Sequence, residues 1–500
     1  MTEDKERLIA TSEVKVYRRR WYILAVFSLL ALYQCTVWNT WGPIVNTVEL
    51  VFPSWSDSTV SLMANWGPIS FLVFLLPTLY ISELNLRLAI VLSSGLVFFG
   101  SGVRCMFVLF PGLSEPVFTG LCHLGAILNG IPGIVVTSIP PAISATWFPP
   151  EERVTATSIS QMLNNIGTAV SFIMATVIVP ETPSSSSGSD GSNSSCHTQG
   201  VSSDLTLTDL EVNTIKKDVE HYLLILMVPA AVIFSFSIIY FPCKPPQPPS
   251  LSSTHQRLSF VSGVWELVKT PAAWIIALVW AIPQAIWNNW CAMMVISLTK
   301  IGEGDECLTE KWVNILGIVA ILVGTVIAIL VGMLTDKIKG FMKVTIFALL
   351  TIGGILFTLL SLVSIQAIVL PTMQSLKITV YSLLLLGNSM VVSTSPLCME
   401  FAVEKLYPVP EGIVGGWLNI WYNIISVIFL CIFNIPGVGT EWLNYVLPFS
   451  CFSVLPLLLL VKEEYRRRGV DEGMDEVDTG RQEPGIQVIS TEALSQTLIL

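Results

Sequence analysis

The sequence predicts an all-α polytopic membrane protein with twelve transmembrane helices in two halves of six. The chain has 500 residues and is 52% hydrophobic but only 12% charged, whereas soluble domains carry about 25% charged residues. The apolar residues form blocks of about 20 residues, the length that a helix needs to cross a bilayer. A proline-rich stretch, PCKPPQPPS, separates six blocks from six more. A chain of soluble domains is therefore excluded, and no cofactor, metal or nucleic-acid partner is expected.

Polar segments between the blocks divide the chain into regions. We predict a tail at 1–20, a six-helix bundle at 21–241, a linker at 242–270, a second bundle at 271–461 and an acidic tail at 462–500. Residues 181–219 form a serine-rich loop that is too polar to pack. The twelve predicted spans are 21–46, 60–81, 88–110, 116–146, 154–180, 220–241, 271–299, 312–334, 342–366, 376–401, 412–436 and 440–461.

Lysine and arginine residues predict the orientation, because cytosolic loops of membrane proteins are enriched in them. With both termini in the cytosol, twenty of the 26 Lys and Arg residues lie on the cytosolic side and five on the other side. Arg104 alone falls inside a span. The serine-rich loop then faces the lumen, where Asn193 begins the glycosylation sequon NSS. Cys196 and Cys307 fall on the same side and are a candidate disulfide pair.

Two similar motifs, WNTW and WNNW, place amide side chains between tryptophans in the first and seventh spans. Helical spacing groups amides and tryptophans on one face of each span. Because an unpaired amide is costly in hydrocarbon, we predict that both faces line a central cavity. In the alternative interpretation, Trp marks the lipid interface and the amides pair between helices. The residues on the two faces are Gln34, Trp38, Trp41, Gln284, Trp287 and Asn288.

A second repeat supports two corresponding halves. The fourth span leads to WFPPEERV and the tenth to LYPVPEGI, so each half has an aromatic–proline–acid turn before its next span. Downstream of these turns, Asn165 in the fifth span and Asn423 in the eleventh lie at comparable depth. We expect both amides to face the interior of the bundle.

The plan of six plus six spans resembles the major facilitator superfamily, whose substrate site lies between the halves near the middle of the membrane. The segment GMLTDKIKG resembles a short cytosolic motif of that superfamily. The resemblance implies that Asp336 caps neighbouring helices and locks the outward-facing state. The equivalent turn of the first half, YISELNLRLAI, lacks the Asp and the Gly, so we expect no comparable lock there.

The segments NTWGPI, SGVRC, WFPPEERVTATSISQML and EFAVEKLYPVPEG resemble solute carrier family 49, the group of the feline leukaemia virus subgroup C receptor. The resemblance implies a carrier whose cargo is haem, choline or ethanolamine, or pyridoxine. The branch that this chain resembles most is described as an electrogenic, proton-driven lysosomal carrier with pyridoxine as its attributed substrate. In the choline-carrying relatives, one Trp and two Gln surround the cationic head. The matching positions here are Trp38, Asn165 and Asn423, so both Gln are replaced by the shorter Asn.

Ionisable residues in or beside the spans are candidates for proton coupling or gating. His123 changes charge between pH 5 and 8, so it is a candidate proton site, as is Glu49; a buried neutral histidine is the alternative. We expect Glu400 and Glu404 to pair with Lys405 and Arg153 and to close the cytosolic gate. Arg104 is expected to hold the first half together or to take part in coupling.

Asp4, Leu8 and Ile9 fit the acidic dileucine pattern [DE]xxxL[LI], which cytosolic clathrin adaptors read as an address. Together with the resemblance to solute carrier family 49, this motif predicts that the protein is located in the lysosomal membrane. The plasma membrane is the second choice. We expect a monomer that binds a small-molecule substrate, protons and membrane lipid. A non-transporting receptor or scaffold with the same fold is the alternative. A membrane enzyme is disfavoured, because the spans contain no nucleophile–base pair.

Overall fold

A computed structural model describes residues 14–55, 57–110, 112–179, 209–298, 310–338, 340–433, 435 and 438–472. Within these ranges every regular element is a helix. Several predictions lie outside the described residues: the sorting motif at Asp4, Leu8 and Ile9, the sequon at Asn193, and the pair Cys196 and Cys307.

Twelve helices, numbered α1 to α12, form the body of the protein, and the other helices are named by their ranges. The twelve are α1 (Arg20–Trp38), α2 (Asp57–Leu84), α3 (Leu86–Leu109), α4 (Glu115–Ser138), α5 (Arg153–Ile178), α6 (Asp209–Ile239), α7 (Pro271–Ala292), α8 (Glu310–Lys337), α9 (Met342–Ser364), α10 (Met373–Leu406), α11 (Glu411–Phe433) and α12 (Leu443–Ser453).

Eleven segments of the described chain are long and apolar enough to cross a membrane. The remaining long helix, α5, has 26 residues and so spans about 39 Å at 1.5 Å per residue. It is less apolar because it carries threonine, serine and asparagine along its length. Since α5 packs between α1 and α8 inside the bundle, polar residues such as Thr157, Ser158 and Ser171 face protein, whereas Asn165 is exposed. The predicted all-α, twelve-helix fold is confirmed.

Four predicted spans are interrupted, and the twelfth of them divides into the helices Leu443–Ser453 and Leu455–Leu460. The predicted first span, 21–46, ends as α1 at Trp38 and continues as a turn at Gly42–Ile44 and a short helix at Val45–Val51. Pro43 accounts for the break, because proline has no N–H to donate within a helix. The seventh span stops at Ala292 before a short helix, and α4 is followed by Pro140–Trp147, as the motif SIPPAIS indicates.

The two halves repeat the same packing. In the first half, α1 packs against α4 and α5, α3 against α4 and α6, and α2 against α4. In the second half, α7 packs in the same way against α10 and α11, α9 against α10 and α12, and α8 against α10. Between the halves, α5 meets α8 and α2 meets α11. These repeated pairs indicate a two-fold relation between the halves.

The halves meet at one end of the bundle, which we call the basic end because Arg20, Arg153, Arg257 and Arg467 lie there in ion pairs. At this end Val154 of the first half belongs to an apolar cluster that is otherwise built from the second half and the linker. At the opposite end, the apolar clusters of the described residues are separate, one in each half. The described conformation is therefore closed at the basic end.

Glycine permits this closure. A β-carbon at Gly415 of α11 would overlap the carbonyl oxygen of Ser138, at the end of α4. A β-carbon at Gly332 of α8 would overlap the hydroxyl of Ser158 on α5. Because glycine lacks that atom, the backbones of the two halves approach closely at both places.

Candidate functional site

A row of hydrogen bonds crosses between the halves and closes the centre of the bundle towards the basic end. The Trp280 indole on α7 donates to the Ser395 hydroxyl on α10 at 3.1 Å. Ser395 in turn donates to the Gln161 amide oxygen on α5 at 3.0 Å. The Gln161 amide nitrogen lies 2.9 Å from the sulfur of Met399. We call these four residues the base layer.

Sequence reasoning did not select Gln161, Ser395 or Met399 as site residues. A signal was present, because Gln161 lies one helical turn before Asn165 on the same face of α5. The serine and the methionine carried no comparable signal. Their role depends on how α10 packs against the other half.

Two predicted amides lie one turn beyond this closed region. Asn165 is exposed, and its nitrogen makes only a long contact, 4.0 Å, with the sulfur of Met162. Asn419 of α11 donates to the carbonyl of Thr137 in the first half at 3.2 Å. Asn423, one turn further along, donates to the Asn419 carbonyl at 2.8 Å. Asn165 and Asn423 each lie twelve residues after the first residue of their helix, which is α5 for Asn165 and α11 for Asn423.

On α7 the predicted residues have different surroundings. Gln284 donates to the Val391 carbonyl at 2.7 Å, which ties α7 to α10. Trp287 is buried, and its ring is stacked on Phe357 with centroids 5.4 Å apart. Asn288 is exposed and its side chain reaches the hydroxyl of Tyr422 on α11. On this helix the amide, and not the tryptophan, reaches open space.

On α1 one predicted residue joins two helices by hydrogen bonds, and another lines a cavity. Gln34 is buried and exchanges two hydrogen bonds with Asn129 of α4, at 3.0 and 3.1 Å between side-chain nitrogen and backbone oxygen. Trp38 keeps 38% of its surface exposed and donates to the Ala64 carbonyl at 3.2 Å. Its ring lies so close to Gly67 that a β-carbon there would be 2.6 Å away.

Trp38 lines a cavity of about 320 Å³ at the opposite end of the first half, a volume in the range of small-molecule sites. The cavity lies between α1, the short segment that follows it, and α2. Its other lining residues are Asn39, Trp41, Gly42, Val45, Val60 and Ala64.

Arg104 fastens α3 to the broken end of α1. The buried guanidinium donates to the Val37 carbonyl and the Thr40 hydroxyl, both at 3.1 Å. No described acidic residue lies within ion-pair distance of it. With Trp41 and Asn129 it lines a second cavity of about 10 Å³, which has room for about one water molecule. A cation at a helix carboxyl end is electrostatically favourable.

His123 of α4 accepts a hydrogen bond at Nδ1 from the Trp66 indole of α2, at 3.1 Å. Because an indole nitrogen can only donate, this bond requires a neutral imidazole that carries its proton on Nε2. Protonation would place a second donor opposite the Trp66 N–H. The bond between α2 and α4 would then be lost.

The pairs predicted for the gate are not those found. Glu400 and Glu404 pair with Arg467, at 3.0 and 2.9 Å. Arg153 pairs instead with Asp471 and Lys405 with Glu464, at 2.9 and 2.7 Å. The physical reason is that the start of the predicted acidic tail forms a short helix, Arg466–Asp471, which lies between the halves and brings its own charges.

Asp336, the acidic residue of the GMLTDKIKG segment, lies at the start of α5. Its carboxylate accepts hydrogen bonds from the backbone nitrogens of Val154 and Thr155, at 3.1 and 2.7 Å. A carboxylate is favourable there because the first N–H groups of a helix are unpaired and carry positive partial charge.

The first half, whose turn lacks the Asp and the Gly of the motif, has an acidic residue at the matching position. Glu83, the penultimate residue of α2, directs its carboxylate to the backbone N–H of Gly412 in the first turn of α11. Asp336 is likewise the penultimate residue of α8. The motif comparison missed Glu83 because the sequence around it departs from the pattern. The Glu83 side chain nevertheless approaches the start of a helix in the other half, as the Asp336 side chain does.

Comparison with known proteins agrees with the family that the sequence motifs resemble. Residues 21–430 match the family model described as Major Facilitator Superfamily. The chain is 32% identical over 461 residues to the solute carrier family 49 member 4 homolog of Xenopus tropicalis, covering 91% of this chain and 94% of that protein. It is 25% identical to the choline/ethanolamine transporter FLVCR1 of Mus musculus, covering 92% and 78%.

Solved structures share the fold at low sequence identity. The transporter FucP in its outward conformation superposes with a TM-score of 0.65 at 11% identity, covering 88% of this chain and 99% of that one. The proton:xylose symporter XylE superposes with a TM-score of 0.62 at 11% identity, covering 90% and 99%.

Proposed function

Since this chain belongs to the Major Facilitator Superfamily and, within it, to solute carrier family 49, we propose that it carries a small organic solute across the lysosomal membrane. Transport proceeds by alternating access, is coupled to protons and is electrogenic, and pyridoxine is the favoured substrate. The observation that supports this proposal most is Trp38. Its half-exposed ring lines the large cavity between α1 and α2, while exposed amides lie further along the bundle.

The proposed site uses one flat surface and several amides. An indole face suits a flat ring or a cation, and Trp38 supplies it. Asn165, Asn288 and Asn423 supply donors and acceptors for hydroxyl groups of the substrate. Gln34, Trp41, Gln284 and Trp287 are more deeply packed and hold the helices that carry these groups. The base layer prevents passage to the basic end while the substrate binds.

We place the basic end in the cytosol, because lysine and arginine are concentrated there. The described conformation then opens toward the lumen, where the apolar clusters of the two halves are separate. Substrate enters from that side. The gate at the basic end then opens, and the base layer and the caps at Asp336 and Glu83 are lost. This opening releases the substrate to the cytosol.

Proton coupling is assigned to His123. A luminal proton breaks the bond from Trp66 and frees α2, which also contributes Ala64 and Gly67 to the surroundings of Trp38. A change of charge at His123 therefore alters the wall of the cavity. Arg104, with no acidic partner among the described residues, fixes the broken end of α1 during this change.

Transport at the cell surface tests the proposal. A form with Leu8→Ala and Ile9→Ala removes the sorting motif and is expected to reach the plasma membrane, with the luminal side facing the medium. Cells that express it are expected to take up labelled pyridoxine faster at about pH 5.5 than at neutral pH, within the range in which histidine titrates. Surface biotinylation confirms the location of the parent and the variant.

Choline is the second substrate to test, because FLVCR1, a relative with 25% identity, is a choline/ethanolamine transporter and an exposed indole also binds cations. Saturable choline uptake without pyridoxine uptake would assign the carrier to the choline-type substrates. Absence of saturable uptake of both compounds, with the protein at the surface, would favour a receptor or scaffold.

A further inference from the structure

Arg467 lies beyond the last transmembrane helix, yet it is among the most buried side chains of the protein, with 1% of its surface exposed. It belongs to the short helix Arg466–Asp471. Its guanidinium lies 3.0 Å from Glu400, 2.9 Å from Glu404 and 3.9 Å from Glu411. Three carboxylates of the second half thus surround one arginine from the tail.

The pocket that receives Arg467 also involves the first half. The second oxygen of Glu400 accepts hydrogen bonds from the hydroxyls of Ser144, at 2.8 Å, and of Thr157. Glu400 therefore joins α10 to the segment after α4 and to α5. Without the guanidinium, several buried carboxylates would face each other uncompensated, which is strongly unfavourable.

The other end of the short helix is fixed to the first half and to the linker. Asp471 is almost fully buried and pairs with Arg153 of α5 at 2.9 Å. It also accepts hydrogen bonds from the backbone nitrogen and the hydroxyl of Ser252, at 2.6 and 3.0 Å. The helix therefore binds the second half through Arg467 and the first half through Asp471.

We propose that the helix Arg466–Asp471 is a latch of the basic-end gate, and that Arg467 is a gating residue which must leave Glu400, Glu404 and Glu411 before the halves separate there. The latch and the helix caps at Asp336 and Glu83 all hold the basic end closed, so all of them must release before the halves separate there. It requires the carrier fold and does not depend on which substrate is carried.

The guanidinium of Arg467 keeps its charge at physiological pH. Burial alone would lower the pKa of Arg467, but the neighbouring carboxylates of Glu404, Glu400 and Glu411 raise it above its ordinary value. The hydrogen bond from Lys405 lowers the pKa of Glu464 to about 2. Since a carboxylate with a lowered pKa stays ionised above that value, Glu464 is ionised at cytosolic pH. Release of the latch therefore needs movement of the helices that hold the carboxylates around Arg467.

Cysteine labelling tests the latch without any substrate. The reporter is Val154→Cys, because Val154 is buried at the basic end against the second half and becomes accessible when the halves separate there. Membrane vesicles with the basic end outward are treated with an impermeant maleimide. The same protein without Val154→Cys gives the background from the native cysteines.

With the reporter present, Arg467→Gln is expected to raise the labelling rate about tenfold, because removing one partner of a buried charge cluster shifts the gate equilibrium strongly. Arg466→Gln is the matched control, since the Arg466 side chain is 58% exposed on the same helix. It is expected to label like the parent. Equal labelling of the Arg467→Gln and Arg466→Gln proteins would overturn the proposal.

A second variant covers the case in which Arg467→Gln does not yield a monodisperse protein. Arg467→Lys keeps the charge but cannot bind two carboxylates with a planar fork. Its labelling rate is expected to lie between those of the parent and of a deletion of residues 466–500. A rate equal to that of the parent in both the lysine variant and the deletion would show that the helix does not hold the gate.

Discussion

Trp38 is the one member of the four-tryptophan pattern whose ring remains substantially open to a cavity. Trp41 and Trp287 retain 3% and 8% of their surface, and Trp290 is enclosed in the second half. The difference follows from the break after α1, where the chain turns away at Gly42–Ile44 and leaves the Trp38 ring between α1 and α2. In the carrier that we propose, Trp38 is therefore the tryptophan best placed to contact a substrate.

We expect Trp38→Ala to lower the ratio of Vmax to KM for uptake about tenfold or more, because stacking or cation–π contact contributes about 1–2 kcal/mol. The measurement is initial uptake in the surface form, normalised to surface protein. Trp265→Ala is the control, since Trp265 is exposed on the linker helix Phe260–Lys269, away from the cavity. Unchanged uptake by the Trp38 variant would remove this residue from the site.

Gly67→Ala probes the same contact while leaving Trp38 in place. An added β-carbon would lie 2.6 Å from the indole, so the ring must move into the cavity. We expect uptake to fall as it does in Trp38→Ala. Gly102→Ala is the matched control, because a β-carbon at Gly102 would have no heavy atom of another helix within 4 Å.

His123→Gln is expected to flatten the pH dependence of uptake, because glutamine can accept from Trp66 but does not titrate near neutral pH. Trp66→Phe keeps an aromatic ring and removes the donor, so it should favour the protonated histidine and move the acid stimulation to higher pH. The measurement is uptake between about pH 5 and 8. A pH profile in His123→Gln identical to that of the parent would exclude His123 as the proton site.

At the scale of secondary structure, the gate depends on how helix ends and glycines meet. The two halves present acidic caps to each other at the starts of α5 and α11. Gly415 allows α11 to approach the end of α4.

Gly415→Ala is expected to prevent full closure at the basic end, because its β-carbon would overlap the Ser138 carbonyl, and backbone atoms cannot yield as a flexible side chain can. Labelling of Val154→Cys should rise, and uptake from the luminal side should fall. Gly102→Ala again serves as the control. Parental labelling in the Gly415 variant would show that the halves close by another contact.

At the scale of the whole molecule, the orientation in the membrane can be tested directly. We predict that Asn193 carries a glycan, because the proposed topology puts its loop in the lumen. Glycosidase treatment should increase the electrophoretic mobility of the parent but not of Asn193→Gln, whose untreated mobility should match that of the treated parent. If glycosidase does not change the mobility of the parent, the sequon is not glycosylated. Protease accessibility of the tails would then decide the orientation.

The candidate site was predictable in part. Amides within apolar spans are visible in a sequence because they are unfavourable in hydrocarbon, so Gln34, Asn165, Gln284, Asn288 and Asn423 could be selected in advance. Whether such an amide clamps two helices, as Gln34 does, or stays exposed, as Asn165 does, depends on a rotation about the helix axis. Small polar residues such as Ser395 carry no comparable signal.

The number of spans, the division into two halves and the family were determined by the sequence itself. Apolar block length, the charge distribution and repeated motifs are local properties, and they do not depend on how the blocks pack. Only the tertiary structure decided that Arg467 fills an acidic pocket between the halves, that Glu83 caps α11 and that Trp287 is buried. Each of these contacts joins residues far apart in the chain, so its energy exists only when the helices are in place.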